Sequence, residues 1–196
     1  AIETGMLLAA QAQLARFYDV PAGGYIGLTN AHSNDAQSGF ETGMNTVLGV
    51  SAGATLLNMG GLFSSLMAFD FAKCVIDNEI ALMDKRVWRG LEFSDDNLAL
   101  TEIAAVGPGG SYMGRQHTKQ RMKTTAVLPR LANREMRGQW EEAGRPDIGS
   151  RALAEARRIL SQPNPAVWDG ALDAAIRNEF PGIVAGDAVP LEAPRA

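Results

Sequence analysis

The sequence predicts an α/β fold in which short parallel strands alternate with amphipathic helices. Two apolar runs, YIGL at residues 25–28 and ATLLNMGG at residues 54–61, lie about 30 residues apart with helical patterns before, between and after them. This spacing is typical of a β-α-β unit, in which a helix crosses over between two parallel strands. Both runs are apolar enough to be covered on both faces. Each ends in a polar or Gly-rich loop, so functional groups are expected at the carboxyl ends of the strands.

Helical periodicity covers most of the remaining chain. Apolar residues recur every three or four positions, which places them on one helix face. Asn34 or Asp35 is a suitable N-cap for the helix between the strands, Gly53 is a suitable stop for it, and Ser94 is a suitable later N-cap. The predicted helices cover residues 3–18, 35–52, 67–89, the segment after Ser94, a long polar stretch over 115–137, and residues 148–161 and 169–180.

Composition and charge limit the classes of protein to which this chain can belong. The 196 residues suffice for one domain with a core, and a net charge of −4 argues against non-specific nucleic-acid binding. The sequence contains no apolar run near the roughly 18–20 residues that span a bilayer. The single cysteine, Cys74, excludes an intrachain disulfide and is expected to be a buried, inert thiol. These features predict a cytoplasmic protein with neither nucleic acid nor membrane as a partner.

The first residues already follow a helical pattern. The sequence begins with AIETGMLLAAQAQLARF, with Ala instead of Met at position 1 and no strand before the helix. We therefore expect the chain to be the later part of a longer protein.

One stretch, residues 115–137, is locally basic. It contains seven lysines and arginines, and Glu135 is its only acid. Two interpretations are open for this stretch. It is either a solvated helix face or a docking face for an acidic partner protein.

Three loops hold most of the chemistry-bearing side chains. The first covers residues 29–35, with Gln37 and Glu41 one and two helical turns further on; the second, NMGGLFSS, covers residues 58–65; the third, GPGGSYMGRQHT, covers residues 107–118. None matches a nucleophile elbow, a P-loop, a dinucleotide fingerprint or a zinc motif. The residues alone thus predict a site at the strand ends without naming a reaction.

Each candidate side chain has a plain alternative role. His32 is either a catalytic group or a solvated loop histidine, and Asp35 is either a general base or a helix cap. Glu79 lies near the apolar stripe of its helix, where a salt bridge to a neighbouring helix is favoured over catalysis. Several aromatic residues either belong to the core or contribute to a cage for a quaternary ammonium ion. These are Tyr25, Phe63, Phe69, Trp88 and Tyr112.

Four dispersed motifs make the chain resemble a known family. DAQSG, VIDNEI, GPGG and WEEAGRPD occur in this order, within a similarity that runs from about residue 3 to residue 160. On these motifs the chain resembles the carboxyl-terminal part of the trimethylamine methyltransferase family, the corrinoid-dependent methylamine and betaine methyltransferases. Since the chain has only the twenty standard residues, it resembles the branch without pyrrolysine.

The resemblance implies an architecture. The chain would hold the last strands of a (β/α)8 TIM barrel in residues 1–106, a helical carboxyl-terminal extension in residues 107–182, and a flexible tail in residues 183–196. The family's members are longer than this chain. A partial barrel leaves strand edges unpaired, so a homo-oligomer is expected.

The resemblance also implies a reaction and a site. A methyl group would pass from a methylated or quaternary amine to the Co(I) of a corrinoid, a cobalamin-type group carried by a cognate corrinoid protein. No covalently bound cofactor and no metal site are expected on the chain itself. We assign catalytic roles to His32 and Asp35. The expected substrate-binding residues are Tyr25, Thr29, Asn30, Asn58, Met59, Phe63, Ser111, Tyr112 and His117.

The sequence departs from the family pattern within this site. The first loop usually reads S/T-D-[AS]-K-x-P-D-x-Q-[AS]-G, whereas Asn30, His32 and Asn34 replace the acid, the lysine and the proline. Ser111 stands where a histidine commonly follows GPGG. These departures predict an altered substrate.

Three hypotheses about the function stay open at this point. The chain is either a methyltransferase or a non-catalytic barrel fragment that serves oligomerisation or the docking of a corrinoid protein. An unrelated barrel enzyme such as a lyase is a third possibility, which the missing metal-ligand spacing disfavours.

Overall fold

The structure is a computed structural model that describes residues 1–163 and 169–180. Helices predominate in it, and the strands are short. The helices are α1 (Ile2–Phe17), α2 (Ala36–Ala52), α3 (Phe71–Arg89), α4 (Asp95–Leu98), α5 (Leu100–Val106), α6 (Gln116–Arg121), α7 (Arg137–Glu142), α8 (Ile148–Leu160) and α9 (Gly170–Glu179). The strands are β1 (Gly23–Tyr25), β2 (Leu56–Asn58), β3 (Leu62–Phe63) and β4 (Ala68–Phe69).

The predicted β-α-β unit is present. β1 and β2 pair in parallel, with Tyr25 opposite Asn58, and α2 connects them. Both strands are shorter than the apolar runs that predicted them. β1 ends early because Gly27 adopts φ +71°, a left-handed conformation that glycine tolerates, and this turns the chain away from the sheet. The chain thus mixes helices with a small parallel sheet, as the α/β prediction requires.

α1 and α2 cover one face of the β1–β2 sheet. Ile26, just after β1, is almost completely buried, and Gly49 of α2 lets Leu8 and Leu57 approach: a Cβ at Gly49 would lie 3.1 and 3.3 Å from their methyl carbons. On the opposite face, Tyr25 and Leu56 are exposed. The sheet therefore has one covered face and one open face.

The helix predicted over residues 67–89 begins later than expected. α3 starts at Phe71, because Asp70 accepts a hydrogen bond from the backbone N–H of Lys73 (2.6 Å) and caps the helix. The residues before it form an unpredicted antiparallel pair, β3 with β4, joined by a 3-10 turn at Ser64–Leu66. Periodicity alone does not distinguish such a short hairpin from a first helical turn.

The prediction of one long helix over residues 115–137 is wrong. Only α6 and the first residue of α7 are helical in this stretch. The backbone N–H groups of residues 130–132 donate instead to the buried Glu79 carboxylate. The prediction of a salt bridge between Glu79 and a neighbouring helix is also wrong, because the partners of the Glu79 carboxylate are these main-chain N–H groups.

The basic residues of this stretch do not form one free face. Arg115 pairs with Glu102 and Arg121 pairs with Asp96. Arg137 pairs with Glu141 in the same way. The stretch is therefore not one basic helix face, and the docking of an acidic partner stays a prediction.

The carboxyl-terminal helices were predicted well. α8 packs against α3 through a core cluster of Ala72, Leu131 and Ala152. Both α8 and α9 begin at an aspartate N-cap, Asp147 and Asp169. Within the described ranges, no helix is long and apolar enough to cross a membrane. The predicted tail, residues 183–196, lies outside the described residues.

Candidate active site

The loops that follow β1 and β2 pair with each other through the main chain. In the structure the first loop extends over residues 27–35 and the second loop over residues 59–67, and we use these bounds from here on. The N–H of Ser64 donates to the carbonyl of Ala31 (3.0 Å), and the N–H of Ser65 donates to the carbonyl of Thr29 (3.0 Å). The polar residues that the sequence placed after two separate strands therefore share one surface.

Side chains reinforce this pairing. His32 Nδ1 lies 2.5 Å from Ser64 Oγ, and the Ser65 hydroxyl donates to Asn30 Oδ1 at 2.5 Å. Asn30 and His32 are both exposed, so they remain reachable from solvent. The sequence suggested no role for the two serines, because their function as partners depends on the fold of the second loop.

The second loop turns through an unusual backbone conformation. Ser64, Ser65 and Leu66 have φ values of 49°, 54° and 76°, in the left-handed region that non-glycine residues avoid. Each such residue costs about 1–2 kcal/mol. The hydrogen bonds from the first loop hold this turn in place. Strain of this kind, maintained by its surroundings, is a feature of functional loops.

Glu41 anchors the first loop from the second turn of α2. One carboxylate oxygen accepts from the Thr29 hydroxyl (2.6 Å) and from the Asn30 N–H (2.8 Å), and Gln37 donates to the other oxygen. Desolvation alone would raise the pKa of Glu41, but these hydrogen bonds outweigh it and hold the pKa below its ordinary value. Thr29 is buried in this network, so it supports the loop and does not face solvent.

Replacing Glu41 with glutamine should lower the free energy of unfolding by about 1–2 kcal/mol at pH 7, because two loop donors lose a charged acceptor. The folded-state pKa of Glu41 is depressed, so this contribution is present above the ordinary pKa of 4.5 and is lost as the pH falls through the folded value. Denaturant titrations of the wild type and the variant from pH 3 to pH 7 should therefore converge at the acid end. Glu142→Gln, at an exposed position on α7, is the control, and an equal loss there would contradict the anchor role.

Asp35 occupies the N-cap of α2. Its carboxylate accepts from the Ser38 N–H (3.1 Å), and this hydrogen bond is the main reason that the pKa of Asp35 is lowered. Of the two roles that the sequence left open, capping is the one this geometry supports. The assignment of Asp35 as a catalytic base stays a prediction.

A buried ion pair lies beneath the two loops. The Lys73 ammonium contacts the Asp77 carboxylate and donates to Thr42 Oγ1 (3.0 Å); all three side chains are at most 2% exposed. Asp77 accepts the N–H of Gly61 (2.8 Å), and Thr42 donates to the carbonyl of Gly27 (3.1 Å). The pair thereby connects α2 and α3 to both loops. No sequence motif distinguished it from an ordinary surface pair four residues apart on a helix.

Burial changes the acid–base properties around this pair. Desolvation raises the pKa of Asp77 and outweighs the opposing effects of the Lys73 charge and of the hydrogen bonds from Lys73 and Gly61. Desolvation and the nearby Asp77 charge also raise the pKa of Cys74, which disfavours the reactive thiolate, but Cys74 is half-buried and not buried as predicted. The ring of Phe63 lies 5.8 Å from Lys73 Nζ and is buried, so it supports the core beneath the loops.

Tyr25, Asn58 and Met59 lie at the strand ends. Tyr25 and Asn58 are register partners on the open face of the sheet, and both are exposed. Met59 is half-buried. Tyr25 and Asn58 thus lie at the strand ends, and Asn30 and His32 contact the second loop, which begins directly after Asn58.

The predicted residues of the third loop make their hydrogen bonds elsewhere. His117 Nε2 lies 2.8 Å from the carbonyl of Asp96, and Ser111 Oγ accepts from the Met113 N–H at 3.3 Å. Tyr112 is exposed. Within residues 1–163 and 169–180, no hydrogen bond joins these three residues to the first or second loop. Their assignment to the site stays a prediction.

The family model for trimethylamine methyltransferase matches residues 2–181, which include both loops and helices α1 to α9. The chain belongs to the trimethylamine methyltransferase family. The match confirms the resemblance that the four motifs indicated.

Relatives of the chain occur in Desulfitobacterium hafniense and in species of Methanosarcina. The chain is 33% identical to trimethylamine methyltransferase MttB of Desulfitobacterium hafniense over 90% of its own length and 35% of the relative. It is 32% identical to glycine betaine methyltransferase of the same species, over 89% and 36% of the two chains. It is 33% identical to MttB of Methanosarcina barkeri over 81% and 32%. The chain spans about a third of the length of these curated relatives.

Proposed function

We propose that this chain is part of a methyltransferase that moves a methyl group from a methylated or quaternary amine to the Co(I) corrinoid of a partner protein. The observation that carries the proposal is the match to trimethylamine and glycine betaine methyltransferases across both strand-end loops. On the same basis, we propose that β1-α2-β2 belongs to a (β/α)8 barrel. Active sites of such barrels lie at the carboxyl ends of the strands, where these loops are found.

The geometry is suited to a reaction that needs positioning more than covalent catalysis. Tyr25 offers an aromatic ring to a positive, methyl-rich centre, and the Glu41 carboxylate places a negative charge behind the first loop. His32 and Asn30 are exposed and lie against the second loop, where they offer polar atoms to a substrate. At the carboxyl ends of the strands, the exposed side chains of the first loop leave the site open to the methyl acceptor. The corrinoid is the second substrate in this reaction, and we assign no resident cofactor to the chain.

His32 has the most direct proposed role. With Nδ1 engaged by Ser64, its Nε2 is the atom available to a substrate. We propose that His32 orients the amine substrate through Nε2 and that Asn30 contributes a second polar contact. A positioning role of this kind affects the reaction through orientation, which contributes strongly to catalysis.

The test mixes the whole methyltransferase that contains this chain with its corrinoid protein in the Co(I) state and a panel of trimethylamine, glycine betaine and related amines. Loss of the Co(I) absorbance with at least one amine supports the proposal, and no loss with any amine contradicts it. His32→Ala should lower the rate by about 10–100-fold, since it removes an orienting contact. Lys119→Ala, at an exposed position on α6, is the control and should leave the rate unchanged.

A further inference from the structure

A cavity lies between the end of α2, the start of β2 and the last turns of α3. Its volume is about 250 Å³, and its lining combines apolar residues of α2 and β2, among them Val50 and Leu57, with Asp84, Lys85 and Trp88 of α3. The residues directly before β2 also line it. The cavity is therefore near the amino end of β2, whereas the candidate active site is at the carboxyl ends of the strands.

Asp84 brings a buried carboxylate to this cavity. The residue is 5% exposed, and its Oδ2 atom is buried without a hydrogen-bond partner in the described part of the chain. Burial raises the pKa of Asp84, and a hydrogen bond with the Thr46 side chain opposes this rise only in part. The Thr46 hydroxyl is also shared, because it donates to the carbonyl of Gly43 (3.1 Å). Asp84 thus has an oxygen that is available to a ligand.

The other buried carboxylates of α3 show what Asp84 lacks. Asp77 contacts the Lys73 ammonium and accepts the N–H of Gly61, and Glu79 accepts three main-chain N–H groups. A buried carboxylate without such partners costs free energy, and a positive group beside it offsets that cost. The unpartnered Oδ2 atom of Asp84 therefore indicates a position for a cation.

The surroundings favour an organic cation over a metal ion. Trp88 follows Asp84 by four residues, so both side chains lie on the same face of α3. An indole ring is the best aromatic partner for a cation. A metal ion needs several ligands, and the described residues contain no group of three or more His, Cys, Asp or Glu side chains that could hold one. Val50 and Leu57 add an apolar wall that suits alkyl groups.

The charge of Lys85 does not meet this need. Lys85 lines the cavity, but it is exposed and directly follows Asp84, so the two side chains leave the helix about 100° apart. The Oδ2 atom of Asp84 stays without a partner in its presence. The ends of α2 at Ala52 and α3 at Arg89 lie at this side of the sheet, and the carboxyl ends of helices favour positive charge.

We propose that this cavity is a site for an organic cation, an alkylammonium or guanidinium group that contacts the Asp84 carboxylate and the Trp88 ring. Its volume of about 250 Å³ is below the roughly 300–1,000 Å³ of pockets for drug-sized ligands, so the occupant is a small ion or a single cationic group. Two sources share this chemistry. The cation is either a free ion or a lysine or arginine side chain of the whole protein from beyond these 196 residues.

Choline and its uncharged analogue 3,3-dimethyl-1-butanol test the free ion in the whole methyltransferase that contains this chain. The two molecules have the same shape and differ in charge. We expect titration calorimetry to show binding of choline and not of the alcohol. Asp84→Asn should lose one equivalent of bound choline, and Trp88→Leu should bind that equivalent about tenfold more weakly. Trp88 is 74% exposed, so its replacement leaves the core intact.

Two control variants accompany this titration. Asp95→Asn, at an exposed position on α4, should bind choline as the wild type does. His32→Ala changes the candidate active site and should keep the equivalent that Asp84→Asn loses. Equal binding of choline and the alcohol, or loss of the same equivalent in His32→Ala, would overturn the proposal.

Thermal unfolding of the same variants tests the second source. If a side chain from elsewhere in the protein occupies the cavity, choline does not bind, and Asp84→Asn lowers the Tm more than Asp95→Asn does, because a buried charge loses its partner. The absence of choline binding together with an unchanged or higher Tm of Asp84→Asn would show that the carboxylate has no cationic partner, and would overturn the proposal. None of these measurements depends on methyl transfer.

Discussion

Lys73→Met is expected to lower the free energy of unfolding by about 3–5 kcal/mol, the range for removing one partner of a buried ion pair. The substitution leaves the Asp77 carboxylate buried, with only the Gly61 N–H as a partner from the original network. It also removes the donor to Thr42, which holds the carbonyl of Gly27. Both strand-end loops should therefore lose order along with stability. Urea titration at pH 7 measures the effect.

The pH dependence of this loss separates charge burial from lost packing. Burial raises the pKa of Asp77, and removing the Lys73 charge, which opposes that rise, should raise it further. At a pH below the folded pKa, Asp77 is buried as a neutral acid, so the defect of Lys73→Met should shrink as the pH is lowered. If the loss in the free energy of unfolding of Lys73→Met is the same at pH 7 and at pH 4, the loss comes from packing alone and not from charge burial.

Two further variants complete the comparison. Lys73→Met combined with Asp77→Leu should recover much of the lost stability, since no charge is then buried. Lys85→Met, at an exposed site on the same helix, should change stability by less than about 0.5 kcal/mol. A loss at Lys73 no larger than the loss at Lys85 would contradict a buried pair.

Glu79→Ala is expected to destabilise the protein by about 3 kcal/mol, because three main-chain donors lose their shared acceptor. One carboxylate oxygen of Glu79 accepts from the N–H groups of Arg130 (2.9 Å), Leu131 (3.1 Å) and Ala132 (3.3 Å). Leu131 is buried in the cluster that joins α3 to α8, so the substitution should also loosen that contact. Unfolding in urea measures the total effect.

Limited trypsin digestion localises the effect of Glu79→Ala. We expect faster cleavage at Arg130 and Arg134, since the segment is no longer held to α3. Glu79→Gln keeps an acceptor oxygen and should show about half the loss. Glu142→Ala is the control at an exposed carboxylate. Unchanged cleavage in Glu79→Ala would show that other contacts hold the segment.

The residues that end and cap elements were the ones that sequence reasoning predicted best. Asp35, Gly53 and Ser94 act as proposed, since a cap depends on a few neighbouring backbone groups. Near the end of the helix predicted over 115–137, a distant residue, Glu79, accepts the N–H groups of residues 130–132 in place of helical carbonyls. The sequence did show that Glu79 lies near the apolar stripe of its helix, but its hydrogen-bond partners are about 50 positions away along the chain.

The candidate site was predicted only in part for a similar reason. The sequence placed Asn30, His32 and Asn58 at strand ends, and parallel pairing brings them to one region. It did not indicate that Ser64 and Ser65 would turn back, in a left-handed conformation, to contact His32 and Asn30. That contact depends on two loops from different parts of the chain.

The sequence by itself determined the family, the parallel β-α-β unit and most helix ends, because motifs, periodicity and caps are properties of neighbouring residues. Only the tertiary structure decided which polar groups are buried and what they contact. Lys73 and Asp77 have the spacing of a surface pair, yet packing of α2 and both loops over them removes the pair from water. The physical reason is that desolvation and hydrogen bonding between distant segments depend on how the elements pack.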